Sequence, residues 1–130
     1  MNITIIQILF VGVGGFIGST LRYIIALFSM KLWGDGFPFS TLIVNVVGSF
    51  LIGIIMGLDA EKGIVPPNIR LLLVTGILGG FTTFSAFSYE TISLFDGGRI
   101  LAGMMNIIIT VILGLVAVYI GKTGIRLLLT

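Results

Sequence analysis

Apolar residues in this chain gather into four long runs, and polar residues into short connectors between them. The runs cover about residues 3–30, 41–58, 71–95 and 100–120. Each approaches or exceeds the roughly 20 residues that a helix needs to cross a bilayer core. The first connector, Lys31 to Phe39, holds Trp33, Asp35 and Pro38; the second, Asp59 to Asn68, holds Glu61, Lys62, Pro66 and Pro67; the third is the turn Asp96-Gly97-Gly98-Arg99. Glycine, proline and aspartate at such places break helices and turn the chain. The pattern predicts an all-α membrane protein, a single transmembrane domain over residues 1–130 with four helices and little outside the bilayer. The first run is long and has no Lys or Arg ahead of it, which separates it from a cleavable signal peptide. It reads as a mature first helix.

Composition narrows the choice further. Of the 130 residues, 57% are hydrophobic and 9% charged, against about 25% charged in ordinary soluble domains. Seven Lys/Arg and five Asp/Glu cannot cover a soluble globule. A soluble enzyme is excluded, and so is a disordered chain, which needs high charge and low hydrophobicity. Cysteine and histidine are absent, so there is no disulfide, thiol nucleophile, imidazole acid–base group or His metal site. Glu90 is the one carboxylate inside a run and has no nucleophile–base partner; the chain is not read as an enzyme. Its basic residues are scattered, not clustered as nucleic-acid binding requires.

Four spans place both termini on one side. That side carries Lys62, Arg70, Lys122 and Arg126, and the other Arg22, Lys31 and Arg99. Orientation follows an excess of Lys and Arg on the inner side, and here the two sides nearly balance. Two readings stand: one side prevails weakly, or the chain inserts both ways and pairs as an antiparallel homodimer. The 19 glycines are about twice the average share of roughly 7%. Gly14 with Gly18, Gly53 with Gly57 and Gly76 with Gly80 have the spacing that lets helix backbones approach closely, either within the subunit or between two.

A charge at the bilayer centre costs at least about 2.5–3.5 kcal/mol. Polar residues inside the runs therefore mark a protein interior or a water-filled path. Arg22, late in the first run, either reaches the headgroups or lines an anion vestibule. Thr41 and Asn45 are four apart and share a face of the second helix. Asn45 either joins helices or offers a neutral amide to an anion.

The third run is the densest in polar groups: Gly79-Gly80-Phe81-Thr82-Thr83-Phe84-Ser85-Ala86-Phe87-Ser88-Tyr89-Glu90. Two glycines followed by two threonines are poor helix, and at about 1.5 Å per residue they fall near the membrane middle. Lipid cannot satisfy backbone groups freed there, so a break must be buried or line a cavity. Carbonyls turned inward suit a small hard cation; a packing kink would not need the threonine pair. Phe84 and Phe87, three apart, share a helical face. Aromatic edges are electropositive and can stabilise a small anion, with Ser85, Ser88 and an Asn amide completing a polar track beside Glu90. In the fourth run Asn106 and Thr110 again lie four apart.

These residues resemble the Fluc (CrcB) family of bacterial fluoride channels over essentially the whole chain. The resemblance is carried by Gly14-Gly15-x-x-Gly18-x-x-x-Arg22-Tyr23, by Thr41-Leu42-x-Val44-Asn45, and by Gly76-x-x-Gly79-Gly80-x-Thr82-Thr83-Phe84-Ser85-x-Phe87. It implies an antiparallel, dual-topology homodimer in the bacterial inner (plasma) membrane, with the third helix broken at mid-membrane and two fluoride pores. It also implies a central structural sodium ion, held by the backbone carbonyls of Gly79 and Thr82 from both subunits. Phe84 and Phe87 would be the pore phenylalanines and Asn45 a pore donor. Thr41, Ser85 and Glu90 would form the polar side of the track, Thr110 the fourth-helix lining, and Arg22 would stand near the vestibule. The activity implied is passive export of fluoride, which enters acidified cells as HF, is trapped as the anion, and leaves down the membrane potential. Two positions depart from the pattern. Ala86 stands where the family usually has threonine, and Asn106, Thr110 and Gly114 stand where relatives often supply Ser, His or Tyr.

Two other functions fit four short spans. A small multidrug exporter exchanges protons through an acid in its first helix, but the first run here has no Asp or Glu. A non-transporting helper subunit would use the glycine faces but would leave the Thr82-Thr83-Phe84-Ser85-x-Phe87 constellation without a role.

Overall fold

The computed structural model describes residues 4–129, and among them four helices are long and apolar enough to cross a membrane. They are α1 (Ile5–Trp33), α2 (Phe39–Lys62), α3 (Pro67–Asp96) and α4 (Ile100–Leu129). Ile3, expected to open the first helix, lies outside the described residues. The helices outlast the apolar runs. α1 continues through Lys31, α2 through Asp59 to Lys62, and α4 through Lys122 and Arg126. Long basic side chains permit this, because their stems lie on apolar surface while the charge reaches water. α3 begins at Pro67 instead of Leu71, since proline at the first helical position gives up only an N–H that has no helical partner anyway. α2 stops at Gly63, whose left-handed backbone (φ 60°) turns its N–H onto the Asp59 carbonyl at 2.8 Å.

α1 packs along the first half of α3, and α2 packs along α4. Both seams are made of glycine. A Cβ on Gly76 would stand 2.8 Å from Gly14 Cα, and one on Gly80 would stand 3.1 Å from Gly15 Cα. A Cβ on Gly53 would stand 3.1 Å from Lys122 N, and one on Gly121 would stand 3.1 Å from Ile54 N. The pairs Gly14/Gly18, Gly76/Gly80 and Gly53/Gly57 all meet backbone of a neighbouring helix in the same subunit. Of the two uses open to them, packing within the subunit is the one observed.

α3 is not continuous. After its first turn, Leu71–Leu78 winds as a π-helix and Gly79–Phe81 returns to α-helical form. Thr82 (φ −84°, ψ 158°) and Thr83 (φ −154°, ψ 119°) are then extended, and the helix resumes over Phe84–Asp96. The expected break is present, but the glycines do not make it: Gly79 keeps helical dihedrals (φ −63°, ψ −38°). The threonines make it, because side chains take over the backbone bonds that a helix would have used there. π-Helical turns are rare and gather at functional sites, and this one leads directly into the break.

One charge is not where loop counting put it. Arg22 lies well inside α1 and reaches the Gly80 carbonyl on α3. The connectors and helix ends on that side therefore hold Lys31 and Arg99. At the other end Arg70 pairs with Asp59 at 2.9 Å and Arg126 approaches Glu61 at 3.8 Å.

The seam makes adjacent glycines unequal. Gly14→Ala places a methyl against α3 backbone, whereas Gly15→Ala meets nothing within 4 Å. Overpacking typically costs about 1–3 kcal/mol. Thermal unfolding in detergent should show Gly14→Ala clearly destabilised and Gly15→Ala close to the parent; equal midpoints would refute the seam.

Candidate ion path at the break in α3

A helix interrupted inside a membrane must find partners for its freed backbone groups. Asn45 on α2 supplies two of them. Its Oδ1 accepts from Thr83 N at 2.8 Å, and its Nδ2 donates to Thr83 O at 3.1 Å. A side-chain amide thus replaces helical bonds across the gap. Thr83 Oγ1 accepts from Ala86 N at 3.2 Å and so caps the resuming helix, the usual work of threonine at an N-cap. Thr82 Oγ1 donates back to Leu78 O at 2.8 Å. Arg22 Nε donates to Gly80 O at 3.0 Å, a charge-assisted bond and correspondingly strong.

This rearrangement takes helical donors away from carbonyls on both sides of the break. In an unbroken helix Gly79 O would accept from Thr83 N, and Thr82 O from Ala86 N. Both donors are bound elsewhere, to Asn45 and to the Thr83 hydroxyl. The carbonyls of Gly79 and Thr82 are thus among those that lose their helical donors, and both residues line one cavity.

That cavity has a volume of about 480 Å³. Asn45, Thr82, Thr83, Phe84, Phe87 and Thr110 meet on its wall, so it gathers residues from α2, both halves of α3, and α4. The two phenylalanine rings lie 5.8 Å apart at 43°, a tilted pair. Asn45 uses one of its two amide hydrogens on Thr83, and the other has no partner among the described residues. Phe84 is 79% exposed in the single chain.

The remaining predicted residues lie around this cavity. Thr41, buried on α2 one turn from Asn45, donates through Oγ1 to Glu90 Oε1 at 2.8 Å. That bond lies one turn beyond Phe87 and joins α2 to the second half of α3. Ser85 is exposed, lines neither this cavity nor the one beside Glu90, and comes within 3.3 Å of the Thr83 hydroxyl. Arg22 also lines neither cavity; its Nε is bonded to Gly80 O at the break.

The second half of α3 is also tied to α4. Asn106, 1% exposed, donates to Thr91 Oγ1 at 2.9 Å and receives a bond from Thr110 at 3.4 Å. The spacing of Asn106 and Thr110 was visible in the sequence. Thr91 was not singled out, since one threonine among many on an apolar helix gives no signal without its partner. Gly48 was likewise unassigned: a Cβ there would collide with the Thr82 side chain, so α2 needs glycine where the break passes.

Fold and site together define a multi-pass membrane protein with a polar interruption, walled by aromatic rings, inside one span. The chain belongs to the family described as CrcB-like protein, Camphor Resistance (CrcB), whose model matches residues 9–122. It is 48% identical over 120 residues to a protein of Clostridium perfringens named fluoride-specific ion channel FluC, covering 92% of this chain and 94% of that one. It is 50% identical over 123 residues to a protein of the same name from Rhizobium etli, covering 95% and 98%.

Replacing Asn45 by leucine leaves Thr83 N without its partner, since the Thr83 carbonyl, at the N-cap, still accepts the first bond of the resuming helix. An unsatisfied buried polar group costs about 1–3 kcal/mol. Asn45→Leu should therefore unfold at a markedly lower temperature than the parent, as read by detergent thermal denaturation; an unshifted midpoint would mean that water, not Asn45, satisfies the break.

Proposed function

We propose that this chain is a fluoride-selective channel that exports fluoride passively and lowers its concentration in the cytoplasm of the bacterium. The observation that carries this reading is the meeting of Asn45, Phe84, Phe87 and Thr110 at one cavity in a chain about half identical to proteins named fluoride-specific channels. The polar groups there are neutral: an amide hydrogen, a hydroxyl and ring edges. Such donors replace part of the water around a small anion and release it again, as conduction demands. Thr41 and Glu90 continue the polar side past Phe87, and Ser85 joins it beside the Thr83 hydroxyl. Fluoride then needs no pump, because an inside-negative potential contributes about 2.3 kcal/mol per 100 mV to its exit.

The working unit is a homodimer of antiparallel copies in the inner membrane, with two pores. Two features support it. Phe84 is 79% exposed, and a second copy would cover it. Gly79 and Thr82 offer two carbonyls, while hard cations take roughly six or more oxygen ligands. A twofold axis beside the break would bring four carbonyls to one point. That donor set fits a structural sodium ion, hard and singly charged, and among the described residues no cluster of His, Cys, Asp or Glu suits a different metal. When bound, the ion would neutralise carbonyls that lipid cannot satisfy. The same α1 that packs against the break has no acid for proton-coupled drug export.

The test is fluoride efflux from proteoliposomes, followed with a fluoride electrode and with chloride run in parallel. The parent should release fluoride and retain chloride. Phe84→Ile and Phe87→Ile should each stop fluoride release while the protein still elutes as a folded dimer; normal flux in both would sink the phenylalanine assignment. Exchanging sodium for N-methylglucamine on both sides should also stop flux, and unchanged release in sodium-free buffer would remove the ion from the proposal.

A further inference from the structure

A second cavity of about 480 Å³ lies at the end of the bundle that carries the α1–α2 connector and the α3–α4 turn. The two cavities share no lining residue, but both reach the second half of α3. Phe87 lines the first cavity, and Glu90, one turn further along α3, lines the second. Between them stands the Thr41–Glu90 hydrogen bond. The other carboxylate oxygen, Glu90 Oε2, is buried without a hydrogen-bond partner. Asp35 from the α1–α2 connector also lines this second cavity. Two acidic side chains thus stand on the wall of the second cavity.

Arg99 is the one basic residue on that wall. It is exposed, and it makes no ion pair among the described residues. Its position is locally unfavourable. Its carbonyl accepts from Gly103 N at 3.0 Å, so it stands at the N-terminal end of α4, where the helix dipole disfavours a cation. No acid occupies the first turn of α4 to compensate. A guanidinium held there, beside a cavity and without a partner, has a free charge to present.

We propose that the second cavity is one mouth of the ion path and that Arg99 sets its anion preference by offsetting Asp35 and Glu90. This rests on the fluoride-channel reading. With Arg99 present, the two acids face one cation; without it the mouth is acidic and repels the anion that must cross it. Charge on a low-dielectric wall changes the local ion concentration and the entry rate. The effect fades with salt, because screening shortens from about 30 Å at 0.01 M to about 3 Å at 1 M.

The experiment measures fluoride efflux from vesicles containing the parent, Arg99→Gln, Arg99→Lys and the double variant Asp35→Asn/Arg99→Gln, at about 0.01 M and about 1 M ionic strength set with sodium gluconate. Arg99→Gln should fall roughly threefold or more at low ionic strength and return to near the parent at high. Arg99→Lys should match the parent, and Asp35→Asn should restore Arg99→Gln. Equal flux in the parent and Arg99→Gln at both salts overturns the proposal. So does a deficit that salt and Asp35→Asn leave unchanged, since that is a packing effect. Should Arg99→Gln fail to fold, Asp35→Asn alone reads the same electrostatics with opposite sign, as faster flux at low salt; unchanged flux there overturns the proposal. A parent that carries no fluoride overturns the channel reading and this one together, whereas a conducting parent with an indifferent Arg99 overturns this one alone.

Discussion

The rest of the molecule depends on the need to satisfy backbone hydrogen bonds where there is no water. Most of the chain meets it as uninterrupted helix. At Thr82 and Thr83 it is met by side chains instead: Asn45 takes both backbone groups of Thr83, the Thr83 hydroxyl takes Ala86 N, and Arg22 takes the Gly80 carbonyl. Each substitution comes from a different direction, from α2, from the break itself and from α1. The break therefore fixes the relative placement of three spans. A single Asn or Arg on an apolar helix would be costly in isolation, but here each is matched to a group that is equally costly when unpaired. The two penalties cancel when the residues meet, which ties folding of the subunit to formation of the site.

Close backbone approach makes those bonds reachable. Arg22 can bond Gly80 O because α1 and α3 touch along Gly14, Gly18, Gly76 and Gly80. Alanine-sized separations would push the guanidinium away from its carbonyl. Likewise α2 can present Asn45 to Thr83 because Gly48, three residues on, leaves room for the Thr82 side chain. The glycines of this chain thus act less as flexible points than as the contact surface that sets helix separation.

Much of this was legible in the sequence. The four spans followed from run length, and the break from polar residues at mid-span. The small-residue spacings of the glycine seams were visible, and so were the residues that meet at the first cavity. What was not legible depended on pairing between distant residues. Helical spacing could place Thr41 and Asn45 on one face but could not say that one holds Glu90 and the other Thr83. Gly79-Gly80 looked like the helix breaker because glycine is a poor helix former; tertiary contacts kept both helical and moved the break to the threonines that side chains could cap. Arg22 was counted as a loop charge because a lone arginine near a span end usually reaches water. Its partner, a carbonyl freed 58 residues later, exists only after α3 has broken. The helix ends ran past the apolar runs because a hydrophobic boundary marks the membrane core and not the end of the hydrogen-bonded ladder.

The distribution of charge follows from the same constraint. Ions must enter a path readily and leave it readily, so a conducting interior works with weak neutral donors and places full charges where water can share them. In this chain the residues around the first cavity are amide, hydroxyl, glycine, phenylalanine and aliphatic, and none carries a charge. The one cation of the interior is already bonded to Gly80 O, and Glu90 is held one turn away by Thr41. The unpaired guanidinium stands outside them, on the wall of the second cavity. An arginine free at the first cavity would bind an anion too strongly to let it go. The same arginine at a mouth opening to solvent raises the supply of anions without retaining them.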